Sequence, residues 1–244
     1  MWGRFGNDFM KLLRIALKRE TAVPVLTLVF ASGVSVALVF ARIAWTGKLR
    51  YAFLIWNLFL AWMPLFFALL AEDKYRATSG RDWRFLALMG AWLLFFPNAP
   101  YIFTDVIHLQ SSFFAHFWVD LMLILLCAFT GLVLGFISLY IMQSIVTRIL
   151  GRWLGWCFIA IVAGLSGFGI YLGRFLRFNS WDILWRPIKL FQGIGGIISD
   201  PFVNSKSIGL PILFATFIFI AYVTLYALTH LEKLEGALQR TEPA

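Results

Sequence analysis

The segment FPNAPYIFTDVIHL, residues 96–109, follows an apolar run and interrupts it with two prolines and an asparagine. Pro97 is expected to end the preceding helix, because proline lacks an N–H group and crowds the turn before it. Asn98 is a favourable N-cap, and Pro100 suits the first turn of a helix. The segment therefore predicts a helix that stops, turns and restarts, which a simple membrane span would not need.

Two ionisable residues of this segment, Asp105 and His108, are three positions apart and are predicted to share one face of the restarted helix. The segment contains no lysine or arginine. Ionisable groups at membrane depth are costly, and by default they face the bundle interior and mark a functional site. The alternative for His108 is an interfacial histidine bonded to a backbone carbonyl group.

The composition indicates that a bilayer surrounds most of the chain. Of the 244 residues, 61% are hydrophobic and 14% are charged, whereas globular chains carry about a quarter charged residues. So few charges cannot cover a soluble core of this size, and lipid must take the place of water around it. The net charge of +9 is carried in short segments between apolar runs, which favours anionic lipid head groups over nucleic acid as the partner.

Six apolar runs approach the roughly 20 residues that cross a bilayer. The third is short for a span unless it continues into the proline-containing segment. The predicted fold class is an all-α, polytopic integral membrane helix bundle, with an amphipathic interfacial helix over 1–20, a transmembrane domain over 21–230 and a polar tail over 231–244. A short interfacial segment is predicted after the fifth run. The predicted spans are 22–41, 52–71, 83–96, 117–142, 153–172 and 210–229.

Lysine and arginine are unequally divided between the two sides of such a bundle. Thirteen lie on the side of the N-terminus and eight on the other, and cytoplasmic flanks carry the excess. Both termini are therefore predicted to be cytoplasmic, in the cell membrane. The loops after the third and fifth spans are two crossings apart, so they must lie on the same side of the membrane.

Asp120 opens the fourth predicted span, in the sequence WVDL followed by an apolar run. A carboxylate just inside the hydrocarbon edge is a candidate functional group. Its alternative role is to interact with the positive end of the helix dipole. With Asp105 and His108 it completes the set of candidate catalytic residues.

The segment GIYLGRFLRFNSWD, residues 169–182, supplies the candidate substrate-binding residues. Arg174 and Arg177 are three apart on one predicted face, and the arginine fork matches a phosphate or carboxylate at two points. Two alternatives stay open: snorkelling of both arginines to lipid head groups, and a structural salt bridge to Asp105 or Asp120. Together the candidate substrate-binding residues are Tyr101, Arg174, Arg177, Asn179 and Asp182.

At these motifs the sequence resembles the bacterial multi-pass membrane proteins catalogued as domain of unknown function 1361. The resemblance rests on FPNAPYIFTDVIHL, on WVDL at 118–121 and on GIYLGRFLRFNSWD, and it extends over most of residues 50–230. The basic N-terminal arm and the tail after His230 lie outside it. The resemblance implies an integral membrane protein and carries no established activity.

Three functions compete for the polar residues. In an enzyme or head-group site, Asp105, His108 and Asp120 would be acid/base groups or ligands of a divalent metal, and the arginines would hold the phosphate of a lipid or lipid-linked substrate. The absence of a spacing signature such as HExxH gives a metal little support. In an assembly protein the cluster would only stabilise the fold. A transporter is the third hypothesis, although transporters bind at the midplane and the span interiors here are almost bare of polar residues.

Overall fold

The computed structural model describes residues 19–78, 82–111, 116–178, 180, 182, 186–189, 192, 195 and 206–229. No strand occurs within these ranges. A 3-10 helix over Ile102–Ser111, called here the 3-10 segment, joins two of the helices. The α-helices are α1 (Arg19–Thr46), α2 (Phe53–Thr78), α3 (Trp83–Phe95), α4 (Asn98–Tyr101), α5 (Phe117–Leu150), α6 (Arg152–Phe175) and α7 (Lys206–Thr229).

Within the described ranges, six helical stretches are long and apolar enough to cross a membrane, so the predicted all-α polytopic bundle is confirmed. The third reaches that length because α3, α4 and the 3-10 segment continue one another over Trp83–Gln110. The protein is thus an integral membrane protein with several spans. Its orientation, the identity of the membrane and the domain boundaries stay predictions. The arm over 1–18, most of the interfacial segment over 183–198 and the tail over 231–244 lie outside the described residues.

Helix α5 is the centre of the bundle. In the most apolar stretch of α5, 61% of the residues are buried, whereas in the corresponding stretch of α7 only 11% are buried. One apolar cluster joins α5 to α1, α2 and the 3-10 segment, and a second joins it to α3, α6 and α7. Because helices in lipid gain little from hydrophobic burial, hydrogen bonds and close packing hold them together. Trp92 donates to Ser138 at 3.1 Å, and Tyr222 donates to Gln143 at 2.5 Å.

The irregular part of the third span lies directly on α5. An added Cβ at Gly131 would be 3.0 Å from the carbonyl oxygen of Ala99, and one at Gly135 would be 2.8 Å from the Cβ of Ala99. Only glycine allows this approach, which fixes the position of α4 and of the 3-10 segment after it. The approach also places the polar residues of that segment against the neighbouring helices.

The helix break occurs at the predicted place, with one difference. α3 ends at Phe95, just before Pro97. Asn98, however, is not the N-cap: Pro97 holds that position, and Asn98 lies inside α4. Its side-chain amide instead donates to the Phe95 carbonyl and to the Ser180 hydroxyl, both at 2.9 Å. The asparagine therefore ties the broken span to the segment after α6.

A test of this packing is available where α6 meets α7. An added Cβ at Gly167 would lie 2.2 Å from the carbonyl oxygen of Pro211 and 2.8 Å from the amide nitrogen of Ala215. Gly167→Ala should lower the melting temperature in detergent, because overpacking costs about 1–3 kcal/mol against about 1 kcal/mol gained in helix propensity. Gly164→Ala on the same helix meets nothing within 4 Å and is the control. Equal melting temperatures for the two variants would contradict the packing described.

Candidate functional site

A cleft of about 630 Å³ lies between α2, α3, the 3-10 segment and α6, and is called here the Arg174 cavity. Its polar lining is at one end of the bundle, where α6 finishes and the third span is irregular. Much of its apolar lining comes from positions deeper in the same helices, and Phe53 and Phe178 lie at the polar end. Leu165 precedes Arg174 by nine residues on α6, which corresponds to about 13 Å of helix. The polar residues are Asn57, Asn98, Tyr101, Asp105, His108, Arg174 and Ser180, and the apolar ones include Leu60, Leu93, Leu94, Leu165, Phe168 and Leu172.

An ion pair between Arg174 and Asp105 forms the centre of the polar end. The Nη2 atom of Arg174 contacts Oδ1 of Asp105, and Asn57 donates to Oδ2 at 2.8 Å. Arg174 also donates to the Thr104 hydroxyl, from Nε at 2.8 Å and from Nη2 at 2.5 Å. Asp105 is only 1% exposed, and a buried carboxylate requires such partners. Of the alternatives left open by the sequence, the cross-bundle salt bridge from Arg174 to Asp105 is the one present.

The remaining surface of Arg174 faces Tyr101. The guanidinium carbon lies 4.6 Å from the centre of the tyrosine ring, a cation–π contact. The third guanidinium nitrogen, Nη1, makes no hydrogen bond to any residue that the structure describes, and neither does the Tyr101 hydroxyl. The cluster therefore fixes the guanidinium in place while leaving donors available beside the cleft.

His108 borders the same cleft. Its Nε2 atom is 3.9 Å from Oδ1 of Asp105, farther than a hydrogen bond, and its side chain is 43% exposed. The imidazole ring packs on Phe53, with ring centres 4.8 Å apart. Arg50 donates from Nη2 to the backbone carbonyl of His108 at 2.8 Å. The structure thus brings together Tyr101, Asp105, His108 and Arg174, as the shared side of their loops predicts.

Asp120 does not join this group, which corrects the expectation that it completes one catalytic set with Asp105 and His108. Asp120 accepts from Nε and Nη2 of Arg42 at 2.6 and 3.2 Å, and from the Tyr51 hydroxyl at 2.9 Å. It is 1% exposed. The two carboxylates point toward different helices. Asp120, in the first turn of α5, faces the end of α1 and the start of α2, whereas Asp105 faces α6. Asp120 lies against a separate cavity of about 320 Å³, called here the Arg42 cavity.

Arg177 does not share a face with Arg174, which corrects another expectation. α6 ends at Phe175, and Arg177 has a φ of 57°, the left-handed conformation that often ends helices. It is exposed and does not line the cleft. Asp182 is 7% exposed, and its backbone carbonyl accepts a hydrogen bond from the backbone N–H of Arg186. It does not line the Arg174 cavity either. Asn179 lies outside the described residues.

The donor set gives little support to the hypothesis of a divalent metal. Asp105 and His108 would supply two ligands, but Asp120, the predicted third, is in the other cavity. Among the described residues, no three histidine, cysteine, aspartate or glutamate side chains converge.

Several contributors to the two clusters were not predicted. Asn57 could have been found, because it is a single amide inside the apolar run FLIWNLFLAW and polar groups in a span tend to face the bundle interior. Arg42 was counted only as a flanking charge for the orientation of the bundle. Thr104 and Tyr51 carry no sequence signal that separates them from other polar residues at a membrane boundary.

Comparison with known proteins gives one finding. A family model described as "Protein of unknown function (DUF1361)" matches residues 56–229. No curated protein and no solved structure matches the chain. The matched range contains Asn57, Asp105, His108 and Arg174 and begins after Arg42.

The two buried carboxylates lead to a stability prediction. Asp105→Asn and Asp120→Asn should each lower the free energy of unfolding by about 3–5 kcal/mol, because each leaves an arginine without its counter-ion in the bundle. The measurement is the melting temperature of each purified variant in detergent. Asp82→Asn is the matched control, since Asp82 pairs with Lys74 at 2.7 Å near the surface and asparagine is an equally good N-cap for α3. A fall for the control as large as for the other two variants would argue against the assigned pairs.

Proposed function

We propose, for a chain that belongs to the DUF1361 family of proteins of unknown function, that the Arg174 cavity binds a lipid or a lipid-linked molecule with a phosphate-bearing head group. The head group would occupy the polar end of the cleft, and the hydrocarbon chain would lie along its apolar walls. The observation that carries this proposal is the division of one cleft into a polar end and an apolar continuation deeper in the bundle.

The shape of the cleft favours an amphiphile over a small polar solute. Ligand sites commonly have volumes of about 300–1,000 Å³, and this one has about 630 Å³. Leucine and phenylalanine side chains form the deep part over about 13 Å of helix. A wholly polar ligand would leave those walls in contact with water, whereas a hydrocarbon chain would not.

The polar end favours an oxygen-rich anion. Arg174 is held in position by Asp105, Thr104 and Tyr101, so little conformational freedom would be lost when it binds a ligand. Its Nη1 group remains as a donor, and arginine matches the geometry of phosphate oxygens. The Tyr101 hydroxyl and the Asn98 side-chain carbonyl would add a donor and an acceptor on the same rim.

The polar groups inside the spans support binding rather than transport. Ser138 accepts from Trp92, and Gln143 accepts from Tyr222. Thr130 and Ser166 donate to backbone carbonyls one turn earlier in their own helices. These groups stabilise contacts between or within helices, so they would not form the polar path that a transported solute requires.

Filling the apolar part of the cleft tests the proposal. Gly90 lines the cleft, and an added Cβ there meets nothing within 4 Å. Gly90→Leu should therefore fold normally and lose lipid that co-purifies with the wild-type protein, as measured by native mass spectrometry of the protein in gentle detergent. The physical reason is that leucine would occupy the volume needed by the hydrocarbon chain.

Gly33→Leu is the matched control. Gly33 also lies inside a helix with open space around it, but it does not line the cleft. It should retain the same lipid complement as the wild type. Equal lipid content in the wild type and Gly90→Leu would contradict the proposal and would favour a cluster with only a structural role.

A catalytic role for His108 is a second candidate function, favoured by one observation. His108 is the exposed imidazole beside a buried carboxylate on the rim of the cleft, and such a group can transfer protons to or from a bound head group. Asp105, 3.9 Å away, would then stabilise the protonated imidazole by its charge and would also remain the partner of Arg174.

Variants of His108 distinguish proton transfer by this residue from ligand binding by the cleft. Because the side chain is 43% exposed, His108→Ala should lower the melting temperature and the membrane abundance far less than Asp105→Asn does. If His108 transfers a proton, the variant should fail to complement a deletion phenotype. His108→Gln, which keeps a polar side chain but cannot act as an acid or base at neutral pH, should fail equally. Full complementation by both variants would rule out proton transfer by His108 while leaving the binding proposal intact.

A further inference from the structure

We infer that the Arg42 cavity is a second binding site, and that it takes a phosphate group. The cavity lies at the same end of the bundle as the Arg174 cavity, because Arg50, which lines it, donates to the backbone carbonyl of His108 in the 3-10 segment. The end of α1, the connection to α2 and the first turn of α5 form it. Its charged lining residues are Arg42, Lys48, Arg50 and Asp120.

The charge balance of this cavity calls for an anion. Among the described residues, three basic side chains and one carboxylate line it, so the lining has an excess of two formal positive charges. A phosphate dianion would balance them, whereas a carboxylate would balance only one. In a partly dehydrated cavity, the Coulomb energy of such an imbalance is larger than at an open surface.

A buried donor in the cavity lacks a partner. Arg42 is 9% exposed, and its Nε and Nη2 groups donate to Asp120. Its Nη1 group is buried and has no hydrogen-bond partner among the described residues. Buried donors of this kind are rare, and an ion or a ligand is one of the few explanations. Asp120 orients the guanidinium with two of its nitrogens, which leaves the third to bind a phosphate oxygen.

A second buried polar atom lies in the same cavity. The Nδ1 atom of His116 is buried and also has no partner in the described part of the chain. The imidazole packs edge-on against Trp45, with ring centres 5.0 Å apart. As a donor, Nδ1–H would complement the donors of the neighbouring cationic side chains. Arg42 and His116, each with one unpartnered buried atom, thus both line this cationic cavity.

Phosphate can reach this cavity from two sources, a free phosphate ion or the head group of an anionic lipid. Trp45 beside the cavity is 64% exposed, as is common for tryptophan at the level of lipid head groups. The site does not depend on the proposed function of the Arg174 cavity. Its basic residues all precede residue 56, where the family match begins.

Calorimetric titration of the full chain with inorganic phosphate, in a non-ionic detergent, tests the inference. The expected result is saturable binding that weakens as salt is added. Lys48 is exposed, so Lys48→Ala should fold normally and raise the dissociation constant at least about tenfold through the loss of a charged donor. Arg42→Lys, which keeps the charge but removes Nη1, should weaken binding as well.

Two control variants locate the binding. Lys189→Ala removes an exposed lysine away from the cavity and should leave the dissociation constant unchanged. Gly90→Leu fills the other cavity and should still bind phosphate saturably, so failure of the lipid proposal and failure of this one are distinguishable. Absence of phosphate binding in detergent, together with equal retention of anionic lipid by the wild type and Lys48→Ala, would overturn the inference.

Reconstitution separates the two sources of phosphate. In nanodiscs of phosphatidylcholine alone, inorganic phosphate should bind whether the natural ligand is a free phosphate ion or an anionic lipid head group. In nanodiscs that also contain phosphatidylglycerol, loss of phosphate binding would assign the site to the lipid head group, and unchanged binding would assign it to the free ion. Unchanged affinity in Lys48→Ala under both conditions would place any phosphate elsewhere on the protein and contradict the site.

Discussion

The ion pair between Arg174 and Asp105 joins the end of one span to the irregular end of another. Within a bilayer, backbone that departs from a regular helix is tolerated only where protein covers it or where it lines a cavity. The 3-10 segment meets both conditions, because Gly131 and Gly135 let it and α4 lie directly on α5 while its other side borders the Arg174 cavity. The ion pair holds that arrangement from the side of α6.

Two buried carboxylates at one end of the bundle use the same chemistry in different surroundings. Asp120 is bound by two nitrogens of Arg42 and by a tyrosine hydroxyl. Asp105 is bound by one nitrogen of Arg174 and by Asn57. In each pair the carboxylate fixes a guanidinium group, and in each the Nη1 atom has no hydrogen-bond partner among the described residues. The aspartates therefore orient the arginines, and the ligand contacts proposed for both cavities fall on the arginines.

Hydropathy predicted the six spans because lipid imposes a length and a composition on each of them. Proline at position 97 predicted the break in the third, and the count of crossings predicted that Arg174 and Asp105 would share a side. The predictions that failed depended on where a helix ends and on which neighbour each of its faces meets. The sequence did not reveal that α6 ends before Arg177, or that the first turn of α5 faces Arg42. Both features depend on the orientation of each helix about its own axis in the bundle. That orientation is set by packing between residues that are distant in sequence.

Arg50 lines the Arg42 cavity and donates to the backbone carbonyl of His108, which lines the other. The Arg50 side chain therefore connects the linings of the two cavities. An anion that drew this guanidinium away would remove a donor from the 3-10 segment and alter the rim beside His108. Such coupling is reciprocal by thermodynamic linkage, so occupation of the Arg174 cavity would change anion affinity by the same factor. Through this one arginine, a ligand in the Arg174 cavity would alter the anion affinity of the Arg42 cavity.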